Sequence, residues 1–335
     1  MAAAKLAIDL TYPSPIRGTD HRLDDIEDLC PLDNGRHQHV TTSNIGALEQ
    51  LPLELLHMML VQLDIRSLTD FRRVNGRARQ LTDSIPQYQK IIKHAPETIR
   101  GILSIETGRW FTCENLYKTL CTAECDICGD FGGYLYLLTC RRACYFCFTK
   151  HPEYLPLLVS DASRKFGLAR EQLSSLPSMR SLPGRYSPRD LKSSSRLTLV
   201  DHSSARDTGV TLHGTVGAME KYASDMIIKK LDDYEDRKSL YKKGYGPKPR
   251  RPRSEDEFDE YESNPKRFMA IVQAPFLQPC AKSPEWGFHC LGCKKNHYDK
   301  PTNWRRKFIQ KSFDAHIKEF GEIISKKHSK IVTQS

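Results

Sequence analysis

Four cysteines carry the strongest chemical signal in the chain. Cys125 and Cys128 form one C-x2-C knuckle, Cys144 and Cys147 form another, and the whole reads C-x2-C-x15-C-x2-C. A C-x2-C knuckle turns the backbone tightly enough for both sulfurs to reach one ion, and four thiolates in a tetrahedron suit zinc. Such a set leaves no open coordination position, so the expected Zn2+ is structural and contributes roughly 10–16 kcal/mol to folding. Cys121 and Cys140 lie in the same stretch and are open as substitutes or as part of a second, incomplete site. Six buried thiols without metal would be the bland account, but paired knuckle spacing would then be coincidence. A further knuckle, Cys290 and Cys293, is expected to bind zinc with His316 and a fourth ligand that the sequence does not name. His289, His297 and Cys280 are the other residues within reach.

The elements that must hold these donors follow from periodicity and punctuation. Between the first two knuckles Phe131-Gly132-Gly133 supplies a turn, after which Tyr134, Tyr136 and Leu138 alternate with Leu135 and Leu137 as in a strand. Residues 105–155 therefore read as a zinc ribbon. FMAIVQAPFL (268–277) has the character of a buried strand leading to the last knuckle, in an α+β segment over 265–335. Upstream, 47–104 reads as a helical domain: Pro52 suits a first turn, Ser67 with Asp70 is a capping-box signature, and Pro86 and Pro96 divide the helices. Residues 156–240 are helical, with a break at Gly167, a Ser/Pro/Arg-rich loop at 178–196 and renewed helical spacing over 218–241. Residues 1–46 lack periodicity and read as a disordered tail without chemistry. Residues 241–264, where YKKGYGPKPRRPR meets SEDEFDEYE, read as a disordered charged linker, and KPRRPR is also a short basic string of the nuclear-import kind. The expected fold class is mainly α with a small zinc-ribbon β element, that is α+β, with a disordered tail and linkers.

Composition narrows the functional classes. The chain has 335 residues, 39% of them apolar and 27% charged, enough for two modest domains with length left for tails. No apolar run spans a bilayer, and the N-terminal MAAAKLAIDL lacks the form of an export signal, so an intracellular, non-membrane protein is expected. Eleven cysteines, clustered as they are, then read as metal ligands in a reducing compartment and not as disulfides. A net charge of +10 admits nucleic acid as a partner, but acidic residues interleave with the basic ones.

The segment LPLELLHMMLVQLDIRSLTDFRRV (51–74) is apolar over most of a helix circumference: Leu53, Leu56, Leu60 and Leu63 form one stripe, and Leu55, Met58, Met59 and Gln62 another. Such a helix is either central in one domain or presents its second face to a partner. Leu51-Pro52-x-Glu54-Leu55, Leu63-Asp64, Ser67-Leu68 and Phe71-Arg72-Arg73-Val74-Asn75 resemble the F-box motif in the form found in fungal F-box proteins. HAPETIRGIL (94–103), CDICGDFGGYLYLLTC (125–140), GLAREQLSSLPSMRSLPGRY (167–186) and EWGFHCLGC (285–293) resemble the segments that follow it in such proteins. The resemblance implies a non-catalytic substrate-receptor subunit of a cullin-RING ubiquitin ligase. It places contact with a Skp-type adaptor on Leu51, Pro52, Leu55, Leu63, Leu68 and Val74, and leaves an unidentified protein substrate to the remainder. Gly76 and Ala78 depart from the bulkier residues of many F-boxes, and Phe320 stands where such proteins tend to place a Cys after the His. The alternative from another class is a zinc-dependent nucleic-acid-binding protein. A RING-type ligase acting directly would need interleaved ligands that residues 121–151 do not space correctly.

Overall fold

Prolines, caps and apolar spacing set the first half of the chain in the computed structural model, which describes residues 10–12, 44–188, 191–253, 262–278, 283–295 and 303–329. The first strand, β1 (Thr11–Tyr12), precedes a run of short helices: α1 (Leu53–Val61), α2 (Ile65–Arg72), α3 (Gly76–Ser84), α4 (Pro86–His94), α5 (Pro96–Ser104) and α6 (Cys113–Leu120). Pro86 and Pro96 each open a helix, where a missing N–H costs nothing. The break before α2 is made by Asp64, not by a Ser67–Asp70 box. The Asp64 carboxylate accepts from Ser67 N at 2.9 Å and from Ser67 Oγ at 2.5 Å, so Ser67 sits inside the helix that it was expected to start. α3 forms despite Gly76, because the Asn75 side chain accepts from Ala78 N at 2.8 Å and Ala78 is fully buried, a place that favours a small residue.

The ribbon follows. β2 (Tyr134–Tyr136) pairs antiparallel with β3 (Arg141–Ala143), Tyr134 opposite Ala143, and α7 (Tyr145–Lys150) begins directly after Cys144. After β4 (Leu157–Leu158), α8 (Val159–Phe166) ends at Gly167, whose φ of 63° is the left-handed break expected there, and α9 (Arg170–Ser174) follows. The stretch 178–196 is not a loop: β5 (Ser178–Arg180), β6 (Gly184–Tyr186) and β7 (Leu191–Ser193) occupy it, followed by β8 (Thr198–Val200). Met179 opposite Leu199, both buried, gives this Ser- and Arg-rich stretch a reason to be a strand that composition hides. α10 (His202–His213) and α11 (Val216–Lys242) complete this part. The expected linker shortens on its C-terminal side, because Asn264 is already buried; 254–261 lie outside the described residues.

In the expected strand 268–277, residues 266–269 instead form the short α12 (Lys266–Met269), and only β9 (Ile271–Gln273) is extended. β9 adds to the other edge of β2, so that β2 is central and buried along its whole length. One apolar cluster runs from Leu56 through α6 and the ribbon to Leu277, so the first helices and the ribbon share a core. The C-terminal segment consists of β10 (Phe288–Cys290), α13 (Leu291–Lys295), β11 (Lys307–Phe308), α14 (Gln310–Phe320), β12 (Ile323–Ile324) and β13 (Lys327–His328), around a small core of its own. Part of the expected tail belongs here: β1 pairs with β10, Thr11 opposite Cys290, and Leu10 packs on that core. The rest of 1–43 lies outside the described residues. Helices dominate, with small antiparallel sheets, and no helix among the described residues is long and apolar enough to cross a membrane.

Candidate metal centres and an exposed helix face

The first centre is built where β3 ends. Cys144 caps α7, its sulfur accepting from Cys147 N at 3.4 Å, while Asp126 N donates to Arg142 O at 3.1 Å and pins the other knuckle to the strand. Gly129 N closes that knuckle on Cys125 O at 3.0 Å. The sulfurs of Cys125, Cys128, Cys144 and Cys147 thereby lie within 4.8 Å of one another, with Cys128 and Cys144 3.6 Å apart, and all but Cys128 are buried. These four residues could hold a metal ion. A hydrogen bond with Cys144 favours the Cys125 thiolate, and the same bond, with burial, pushes Cys144 up.

Beneath the knuckles lies Arg142, which the sequence did not single out. Its guanidinium is 1% exposed and donates to the carbonyls of Thr119, Leu120, Gly132, Ala274 and Pro275, tying α6, the knuckle turn and the chain after β9 together. Burial pulls its pKa down to about 10. Cys121 and Cys140 belong to neither centre. Cys140 faces Thr119 Oγ1 at 3.7 Å, and burial pushes its thiol up to about 12.

The second centre joins three parts of the C-terminal segment. Cys290 ends β10, Cys293 lies in α13, His316 in α14, and the fourth member is His328 in β13. His328 Nε2 stands 3.3 Å from Cys290 Sγ and 3.6 Å from Cys293 Sγ, and His316 Nε2 is 3.5 Å from Cys293 Sγ and 3.2 Å from His328 Nε2. His328 Nδ1 lies 3.0 Å from Gly321 O. A carbonyl only accepts, so Nδ1 carries the proton and Nε2 turns its lone pair to the sulfurs, the tautomer a metal ligand requires. Phe308 and Phe320 flank the His316 ring at 4.5 Å and 4.7 Å. Phe320 is thus the wall of the site, and His328 supplies the donor for which the sequence offered no name. His328 was missed because it falls in a Lys-rich terminus 35 residues beyond Cys293; a count of histidines after the knuckle was the available signal. His289 points elsewhere, Nδ1 to Arg306 O at 3.1 Å, and burial pulls its pKa down to about 4. His297 and Cys280 lie outside the described residues.

The helix face separates as the two stripes predict, with one exception. Leu56, Leu60 and Val61 of α1 are buried, whereas Leu53, Leu55, Met58 and Met59 are 46–65% exposed. Leu53, the first residue of the helix, is thus exposed although its spacing puts it on the side of Leu56, Leu60 and Val61. Of the other residues expected at a partner, Pro52 and Val74 are exposed, and Leu51 and Leu63 are half-buried against the core. Leu68 is corrected: at 1% exposure it is internal core and cannot meet a partner while α2 stays folded. No family model, no curated protein and no solved structure matches the chain.

Proposed function

We propose that the chain is a non-catalytic recognition subunit of a cullin-RING ubiquitin ligase, which binds a Skp-type adaptor through α1 and its flanking residues and holds two structural zinc ions. The observation that carries this reading is the outer face of α1. Leu55, Met58 and Met59, spaced i, i+3 and i+4, group exposed apolar side chains on one face of a nine-residue helix whose other side is already packed, and Leu53 is exposed at its start. Exposed apolar residues grouped on one element mark an interaction site, and an amphipathic helix that docks by such a face is a recurrent mode of recognition. Five of the six residues of the adaptor set, Leu51, Pro52, Leu55, Leu63 and Val74, retain exposed or half-exposed surface.

The zinc assignment rests on donor chemistry and spacing. Around a tetrahedral zinc with Zn–S about 2.3 Å and Zn–N about 2.05 Å, neighbouring ligands stand roughly 3.8 Å (S–S), 3.6 Å (S–N) and 3.3 Å (N–N) apart. The Cys128 and Cys144 sulfurs stand 3.6 Å apart, sulfur and nitrogen in the second set 3.3–3.6 Å and its two nitrogens 3.2 Å, with all donors of each set within 4.8 Å of one another. Soft thiolates exclude calcium and magnesium as preferred occupants. Metal analysis of the purified chain is expected to give two zinc per chain.

Capture of a purified Skp-type adaptor by the folded, zinc-loaded chain tests the function. Wild type should bind at micromolar concentration, and Leu55→Asp should abolish binding while zinc content and helical circular dichroism stay unchanged, because a carboxylate desolvated in the interface costs several kcal/mol. Failure of the wild type to bind overturns the reading. Salt-dependent retention on nucleic acid would then favour the alternative, whose support is the run of exposed cations Lys242, Lys243, Lys248, Arg250 and Arg251.

A further inference from the structure

α11 outruns the body of the protein. Of its 27 residues Met219 and Ala223 are buried, and every residue from Ser239 to Lys248 is exposed. At 1.5 Å per residue, Leu240 stands about 26 Å along the helix from Ala223. The helix is stopped there by a Schellman turn: Gly244 N donates to Tyr241 O and Tyr245 N to Leu240 O, both at 3.0 Å, and Gly244 takes the left-handed φ of 87° that such a turn requires. The turn brings the backbones of Leu240 and Tyr245 together. Leu240, Tyr241 and Tyr245 thus share the tip of the arm, where they are 51%, 43% and 70% exposed.

Cations surround this apolar apex. Lys242, Lys243, Lys248, Arg250 and Arg251 are exposed, and among the described residues none of the five forms an ion pair. Arg253, next to the acidic run that begins at Glu255, is engaged; the five cations before it are not. Of the nearest acids on α11, Glu235 pairs with Lys238 at 2.9 Å, and Asp236 lies one turn back from Leu240. The tip is therefore a knob of apolar and aromatic side chains set among unpaired positive charges. Neither metal centre nor the α1 face takes part in it.

We propose that the α11 arm docks its tip on an anionic lipid surface, with Leu240, Tyr241 and Tyr245 among the headgroups and the five cations on the anionic lipids. Anionic headgroups attract clustered Lys and Arg, and Leu and Tyr side chains favour the boundary between headgroups and acyl chains. Such contact needs no spanning helix. A convex tip, moreover, offers no groove along which a nucleic-acid strand could run. The proposal stands independently of the adaptor reading.

The full chain is sedimented with vesicles of phosphatidylcholine alone, or of phosphatidylcholine and phosphatidylserine at about 3:1, in about 0.15 M salt. Binding to the mixed vesicles alone is expected. Lys242→Glu with Lys243→Glu should weaken it by at least about tenfold, whereas Lys93→Glu with Lys311→Glu, an equal change of net charge at exposed positions elsewhere, should stay within about twofold of wild type. In Tyr245→Trp, brominated lipid in the mixed vesicles should quench the new indole beyond any quenching of Trp110, Trp286 and Trp304 in the wild type, which reports entry of the tip into the bilayer. Absence of sedimentation with the mixed vesicles, equal losses for the two charge-reversed pairs, or no added quenching overturns the proposal. Retention on single-stranded nucleic acid without sedimentation would assign the same cations to nucleic acid and overturn it as well.

Discussion

His328 decides whether the C-terminal donors form a closed site. With Cys290, Cys293 and His316 alone a bound ion would keep an open position, whereas His328, held by Gly321 O at 3.0 Å, would supply the fourth donor. His328→Ala is therefore expected to lower zinc content from two to one per chain under mild chelation, with the four-cysteine centre still loaded; two retained zincs would remove His328 from the ligand set. A second residue gives a pH prediction. His202 is 8% exposed, edge-on to Phe166 at 5.3 Å, and its Nδ1 has no hydrogen-bond partner among the described residues. Burial pulls its pKa down to about 4 from an ordinary 6.5. Above 6.5 it is neutral in both states and adds no pH dependence; as pH falls through that window the unfolded chain takes the proton first, and stability is lost until about 4. The loss is on the order of 3 kcal/mol. His202→Phe keeps a ring and removes the proton, so its urea midpoint should fall less than wild type between pH 7.5 and 5; parallel profiles would discard the effect.

At the scale of elements, α1 and α2 respond to substitution in opposite ways. Leu68 is packed in the shared core, and Leu68→Ala should cost about 2–5 kcal/mol in denaturant unfolding, whereas Leu55→Asp on the exposed face should stay within about 0.5 kcal/mol of wild type. Equal costs for the two would mean that the outer face of α1 is packed in solution. Helix boundaries set by Pro86, Pro96 and Gly167 were legible in the sequence, since each has a backbone consequence local to itself. The four-cysteine centre was legible for the same reason: its spacing is local and its chemistry narrow. What was not legible depends on distant partners. The strand β5 exists because β8 pairs with it, and Leu53 is exposed in the first turn of α1 although Leu56, Leu60 and Val61, on its side of the helix by spacing, are buried. The start of α2 went to Asp64 because the Asp and Ser side chains compete for one cap and only the folded backbone chooses.

Across the whole molecule, the two candidate metal centres are joined through one contact region. Arg306 of the C-terminal segment pairs with Asp130 beside the first knuckle at 2.6 Å, and Lys307 lies over the Tyr134 ring at 5.3 Å. At Gly287, with φ of 66°, a Cβ would strike the Phe131 ring at 2.5 Å, so this glycine permits the approach of the two parts. The ends of the described chain meet here as well. β1 lies on the free edge of β10, with Thr11 opposite Cys290 and Tyr12 opposite His289, and Leu10 packs with Phe308 and Phe313 around the second centre. A two-residue edge strand is marginal by itself, but it orders the strand that presents Cys290 and covers part of a core too small to shield the centre alone. Removal of residues 1–12 should therefore destabilise the second centre by about 1–2 kcal/mol, a roughly 5–30-fold shift toward its open state. With excess chelator, one zinc should leave the truncated chain faster than the wild type by a factor of that order, while the four-cysteine zinc leaves at the wild-type rate. The two ions are distinguished by repeating the measurement in Cys290→Ser, which retains only the first. Release of both zincs at wild-type rates would show that β1 does not support the site, and faster release of both would show that it acts on the shared contact region instead.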